Sequence, residues 1–137
     1  MASIGQYKTG GNLSAMDICF NMNVPPREGA TSYTVKKALL ENYNISSTVY
    51  ETSPTFDKIN SNINNRKPLY TRANSNTYTA GHAVVACGYG SSAQTAAVYY
   101  MDPNYANIKI TTNVTSSKFT FVSGEFEFYS NGYVQLN

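Results

Sequence analysis

The only histidine of the chain, His82, and a nearby aspartate, Asp102, occupy positions from which the two side chains could act together. His82 opens a run rich in Val and Ala, Asp102 closes a run rich in Val and Tyr, and residues 90–94 between the runs are polar and turn-forming. This pattern predicts an antiparallel hairpin in which paired residue numbers sum to about 184 to 186. His82 would then lie opposite Asp102 or Asn104, on the same face in either register. An imidazole held by such a side chain can act as a general base.

A general base needs a nucleophile to activate, and neither cysteine of the chain is well placed for that role. Cys87 is five residues after His82 on the same predicted strand, and an odd offset puts it on the opposite face. Cys19 falls on the apolar stripe of a predicted helix. We therefore interpret both as buried free thiols.

The sequence around this hairpin resembles the histidine and acid half of papain-like cysteine peptidases. The resemblance is carried by the entry Gly81-His82 into an apolar strand, by Gly88-Tyr89 and by Asp102-Pro103. It is closest to the bacteriocin-leader-peptidase-like and staphopain-like groups of bacteria. It implies that His82 is the general base, that Asp102 orients its ring with Asn104 as the alternative orienter, and that the substrate is a peptide or protein.

The resemblance extends to the first residues of the chain. Residues 1–7 are similar to the end of the Cys-Trp-Ala-Ala-Ser motif that opens the central helix in this family. The nucleophilic cysteine is therefore expected just before Met1. The oxyanion-hole glutamine of the family is expected to be absent as well, since Gln6 lies on the wrong side of the inferred site.

The fold expected from the resemblance and from the residue pattern is α+β and papain-like. Helices are predicted over residues 1–9, from near Ser14 to Pro25-Pro26, from a cap at Thr31 or Ser32, and from a cap at Ser53. N-terminal helices should pack on a C-terminal antiparallel sheet or half-barrel, and residues 1–137 should form a single domain.

Alternating residues predict most of this sheet. The runs around residues 45–50, 67–71 and 81–103 are expected to be strands, and Asn131-Gly132 between aromatic strands predicts a hairpin turn. Alternation with polar residues marks two further sets of apolar side chains as strand faces, the second of which we interpret as core. They are Ile108, Ile110 and Val114, and then Phe119, Phe121, Phe126 and Phe128.

Composition excludes several other classes of function. Only 13% of the 137 residues are charged and the net charge is +2, so no interaction with nucleic acid is predicted. No stretch is apolar enough to span a membrane, and no export signal opens the chain. The abundance of Tyr, Asn, Ser and Thr favours a bacterial protein that is secreted or located at the cell surface.

One histidine and Asp102, without further clustered ligands, do not predict a metal site, and no cofactor motif is present. Two alternatives to a peptidase stay open on the same scaffold. One is a pseudopeptidase that acts as a binding or interaction domain, and the other is an acyl transferase. Oligomeric state cannot be read from the sequence.

Overall fold

A computed structural model describes residues 2–13, 15–23 and 30–137 of the chain. It shows the expected α+β fold, with helices in the N-terminal part and an antiparallel sheet that takes up most of the rest. The helices are α1 (Ala2–Thr9), α2 (Ala15–Asn21), α3 (Ser32–Tyr43) and α4 (Phe56–Asn64). The strands are β1 (Ser47–Tyr50), β2 (Leu69–Asn74), β3 (His82–Ser91), β4 (Ala96–Met101), β5 (Lys109–Thr111), β6 (Thr120–Ser123) and β7 (Phe126–Leu136).

The sheet has the order β1-β7-β2-β3-β4-β5, and every pairing in it is antiparallel. The long strand β7 organises one side of this sheet. Along one edge it pairs with β2, and along the other its first half pairs with β6 and its second half with β1. The hairpin β3–β4, which carries the candidate site, therefore lies between β2 and β5.

Side chains alternate between two cores on opposite faces of the sheet. On one face α1 and α3 cover β2, β3 and β7, and the buried residues there include Ile4, Leu39 and Val85. On the other face α4 packs with β6 over a cluster rich in aromatic residues. Val84 and Ala86, which share a face with His82, belong to this aromatic cluster.

The helix predictions hold for α3, and the start of α4 differs by two residues. Thr31 caps α3 by accepting a hydrogen bond from Thr34 N. Helix α4 is capped by Thr55, whose hydroxyl accepts from Lys58 N, so the predicted cap at Ser53 is wrong. The hydroxyl of Ser53 instead contacts Ser130 Oγ on β7. The predicted cap at Ser14 and the stop at Pro25-Pro26 lie outside the described residues.

The hairpin predicted at Asn131-Gly132 is wrong, because β7 continues through both residues. Arg72 pairs with Gly132 while Ala73 pairs with Ser130, so Asn131 is the extra residue of a β-bulge. Pairing of β7 on both edges holds this segment in the sheet, and tertiary context therefore overrides the local turn preference.

Strand β5 is shorter than the alternation predicts, and its apolar side chains are on the solvent side. Ile108 and Ile110 are 60% and 53% exposed, whereas Thr111, the last residue of β5, is buried. The hydroxyl of Thr111 donates to Thr120 O at 2.6 Å, which explains how a polar side chain occupies the inner position. The phenylalanines behave as predicted, with Phe119, Phe121 and Phe128 buried and Phe126 packed against them.

Within the described part of the chain, no helix is long and apolar enough to cross a membrane. Cys19 and Cys87 are both free thiols as predicted, but both are only partly buried, so the prediction that they are buried is wrong.

Candidate active site

The structure brings His82 and Asp102 into direct contact. His82 Nε2 lies 2.9 Å from Asp102 Oδ1. The aspartate side chain is fully buried, and the histidine side chain keeps 15% of its surface exposed. The predicted hydrogen-bond contact between the two residues is therefore present, with the acid below the surface and the imidazole at it.

The hairpin register explains how the two side chains meet. Val85 pairs with Met101 and Ala86 with Tyr100, so paired numbers sum to 186 on this side of the hairpin. Strand β4 ends at Met101, and Asp102 is the first residue beyond it. Extending the same register would place Asn104 opposite His82, so Asp102 reaches the imidazole along a diagonal of the same face.

Asp102 is held by more than the histidine. Its Oδ1 also accepts a hydrogen bond from Asn104 N at 2.9 Å. Burial on its own raises the pKa of Asp102, but the Asn104 amide, the neighbouring Ser123 hydroxyl and His82 together bring that pKa below the ordinary value of 3.8. The carboxyl group is therefore ionised near neutral pH and can only accept hydrogen bonds from the ring.

The side chain of Asn104, the alternative orienter, does not bond to His82. Its Nδ2 donates to Ser123 Oγ at 3.0 Å. Ser123 is buried and lies close to Asp102, yet Asp102 Oδ2 has no hydrogen-bond partner in acceptable geometry among the described residues. Sequence reasoning missed Ser123, although its position two residues after Phe121 in an alternating strand marks it as inward-facing.

Aromatic rings form the wall beside the imidazole. The His82 ring lies 5.1 Å from the ring of Phe128 and 6.1 Å from that of Phe121. Tyr78, in the loop before β3, stacks on Phe126 at 4.4 Å and meets the edge of Phe128. These rings restrict the imidazole on its inner side and reduce the access of water to its bond with Asp102.

The other ring nitrogen of His82, Nδ1, has no hydrogen-bond partner among the described residues. Because Nε2 is engaged by the acid, Nδ1 is the nitrogen that could accept a proton from a nucleophile. This arrangement of acid, ring and free nitrogen has the geometry that a general base and its orienting group require.

Neither cysteine forms a hydrogen bond with His82 in the described part of the chain. Cys87 is the extra residue of a bulge, since Ala86 pairs with Tyr100 and Gly88 with Tyr99. Its thiol donates to Tyr99 O at 3.6 Å, and burial raises the pKa of the thiol above 9.0, so the thiolate is scarce near neutral pH. Cys19 lies on α2, which packs on α3 and not on the hairpin that carries His82.

Helix α1 begins close to this hairpin, although it covers the opposite face of the sheet. Ile4, in its first turn, shares a core cluster with Val85, and Ala83 and Met101 pack against that cluster. Ala83 directly follows His82, and Met101 directly precedes Asp102. The first turn of α1 and the chain neighbours of His82 and Asp102 thus contribute to one core cluster.

A sizeable cavity lies apart from His82. It has a volume of about 580 Å³ and lies between α1, the end of α4 and the outer face of β3–β5. Ser3, Cys87 and Met101 are among its lining residues, and His82 and Asp102 are not. The candidate active site is therefore identified by the contact between His82 and Asp102 and not by this cavity.

No group of three or more His, Cys, Asp or Glu side chains that could hold a metal ion occurs in residues 2–13, 15–23 and 30–137. His82 and Asp102 bond to each other, and the chemistry that they can perform is proton transfer at the ring.

An antiparallel sheet with helices on both faces and a strand-borne histidine held by a buried acid is consistent with the class of papain-like, cysteine peptidase-related domains. The sequence profile of the Peptidase_C39 like family matches residues 4–131. The chain belongs to this family and contains a cysteine peptidase-like domain. A comparison with curated proteins finds no match.

Proposed function

We propose that this domain hydrolyses peptide bonds with a Cys-His-Asp triad in which His82 is the general base and Asp102 orients its ring. The observation that carries the proposal is the bond between Nε2 and Asp102, which leaves Nδ1 without a partner among the described residues. The thiol is proposed to come from the segment that leads into α1. This arrangement is supported by Ile4 in the first turn of α1, which belongs to a core cluster against which Ala83 and Met101 also pack.

In the proposed reaction, Nδ1 takes the thiol proton and the thiolate attacks the peptide carbonyl carbon. The tetrahedral intermediate collapses as His82 gives that proton to the departing amine. Water, deprotonated by the same nitrogen, then releases the acid product and restores the thiol. Asp102 stabilises the imidazolium that forms in each half of the reaction and keeps the ring from turning.

The two alternative functions differ in whether they need a reactive thiol. A pseudopeptidase that binds peptides or proteins needs none, and the positions of Cys19 and Cys87 favour it as the second candidate. An acyl transferase would form the same thioester and pass the acyl group to an amine instead of water. Products formed in the presence of an added amine distinguish transfer from hydrolysis.

We further propose that the domain acts outside the bacterial cell or at its surface. The support is compositional, because 13% charged residues and many Tyr, Asn, Ser and Thr side chains suit such a location.

The proposal is tested with two forms of the protein, the 137-residue chain and a form with a short N-terminal extension that carries a cysteine directly ahead of α1. Each is incubated with a mixture of fluorogenic peptides and with denatured protein. We expect hydrolysis only by the extended form, and loss of at least about a hundredfold in kcat with His82→Ala.

A double variant of the extended form, Cys19→Ala with Cys87→Ala, is the matched control and should retain full activity. Activity in the unextended chain that disappears when the same two substitutions are made in that chain would show that the nucleophile has been misplaced. Peptide binding without cleavage by the extended form would support the pseudopeptidase.

A further inference from the structure

The loop that carries the acid is fixed to the turn between β6 and β7 by two hydrogen bonds. Asn104 Nδ2 donates to Ser123 Oγ at 3.0 Å, and Gly124 N donates to the hydroxyl of Tyr105 at 2.9 Å. Lys109 Nζ lies 4.3 Å from the centre of the Tyr105 ring on its other side. Residues 102–105 are therefore held from two directions although residues 103–105 are exposed.

Asp102 depends on this loop for its position, because β4 ends one residue before it. The backbone N–H of Asn104 bonds to Asp102 Oδ1, and the side chain of the same residue bonds to Ser123. Because both groups belong to one residue, the bond to Ser123 also restrains the backbone N–H. Ser123 is only 4% exposed, so its hydroxyl has little access to competing water. A chain of hydrogen bonds thus runs from Ser123 through Asn104 and Asp102 to His82.

We infer that Ser123 is a positioning residue for the His82–Asp102 pair and acts through Asn104. By fixing Asn104, Ser123 keeps the backbone N–H of Asn104 bonded to Asp102 Oδ1. It thereby keeps the carboxylate within hydrogen-bond distance of His82 Nε2. The Ser123 hydroxyl also helps, after the Asn104 backbone N–H, to bring the pKa of Asp102 below its ordinary value against the effect of burial. The inference rests on the proposed function only in that the positioned pair serves a thiol.

The test uses the 137-residue chain and needs no nucleophile. Because His82 is the only histidine, labelling with ¹⁵N-histidine gives ring signals from one residue. In the unmodified chain, the Nε2–H proton should be visible at low field and exchange slowly with water, since it is bound to a buried carboxylate. Ser123→Ala should speed that exchange by about tenfold or more, the usual effect of losing one buried hydrogen bond.

Ser47→Ala is the matched control, because Ser47 is also 4% exposed and its hydroxyl has no hydrogen-bond partner among the described residues. It should leave the exchange rate unchanged. Ser123→Thr keeps the hydroxyl and should restore slow exchange. If Ser123→Ala fails to fold, Asn104→Ala gives the same test from an exposed position, and its exchange should also be faster.

Equal exchange in the unmodified chain, Ser123→Ala and Asn104→Ala would overturn the inference. The two proposals fail in different ways. If the extended form shows no reactive thiol while Ser123→Ala still speeds Nε2–H exchange, the positioning role stands and the peptidase proposal falls. If the extended form is an active peptidase and exchange is unaffected, the positioning role falls.

Discussion

Asp102 Oδ1 lies 2.9 Å from Nε2 of His82, and this contact decides which nitrogen of the ring is available for chemistry. The ionised acid accepts a hydrogen bond from Nε2–H, and in this tautomer the neutral ring presents a lone pair at Nδ1. The aromatic rings of Phe121 and Phe128 lie on the inner side of the imidazole. A nucleophile must therefore approach from the exposed part of the ring.

The first prediction concerns the dependence of stability on pH. The pKa of Asp102 is lowered in the folded state, so its contribution to the free energy of unfolding is fully present above the ordinary value of 3.8 and is lost as pH falls through the folded pKa. Asp102→Asn should lower the free energy of unfolding by about 1–3 kcal/mol at pH 6. Urea unfolding of both proteins from pH 6 to pH 2.5 should show the difference shrinking at the acid end. A constant difference would contradict the ionised state of Asp102.

A second prediction tests the docking of α1 on α3. A Cβ atom added at Gly5 would overlap the ring of Tyr43, so the ring or one of the two helices would have to shift. Gly→Ala inside a helix is normally favourable by up to about 1 kcal/mol, so the local and tertiary effects have opposite signs. We expect Gly5→Ala to destabilise the domain by about 1–3 kcal/mol.

Thermal unfolding measures this effect, with Gln6→Ala as the control on the exposed side of the same helix. Stabilisation by Gly5→Ala would mean that α1 does not pack on Tyr43.

The third prediction concerns the thiols of the 137-residue chain. Burial raises the pKa of the Cys87 thiol, so its reaction with iodoacetamide should be slow at pH 7. The rate should still increase at pH values at which an ordinary thiol is already fully ionised. Cys87→Ala should remove this slow component, and His82→Ala should leave it unchanged because the two side chains occupy opposite faces. Mass spectrometry of the labelled peptides gives the rate for each cysteine separately. A marked effect of His82→Ala on Cys87 would place that thiol in the active site.

The histidine and its acid could be predicted because period-two alternation determines which side chains share a face. The same rule placed Cys87 on the opposite face and the aromatic side chains of β6 and β7 in the core. The exact partner could not be derived, since it depends on where β4 ends and on a diagonal contact. Alternation allows either Asp102 or the alternative orienter Asn104 opposite His82, and the backbone of the loop after β4 decides for Asp102.

The errors have a common cause in contacts between distant parts of the chain. Asn131-Gly132 has the local signal of a hairpin, but pairing of β7 with β2 and β1 keeps the segment extended. Ile108 and Ile110 alternate as core residues do, yet they lie on the open face of an edge strand. Ser123 has no unusual neighbours in sequence, and its importance appears only through its bond with Asn104 nineteen residues away.

The most direct test of the account is the alkylation rate of a cysteine placed ahead of α1, measured against pH with His82 present and with His82→Ala, in a background in which Cys19 and Cys87 are alanine. If Nδ1 of His82 activates this thiol, the rate at pH 6 should be at least about tenfold higher with the histidine, because an unassisted thiol has a pKa near 8.5 and is almost fully protonated there. Superimposable pH profiles for the two proteins would contradict the assignment of His82 as the catalytic base.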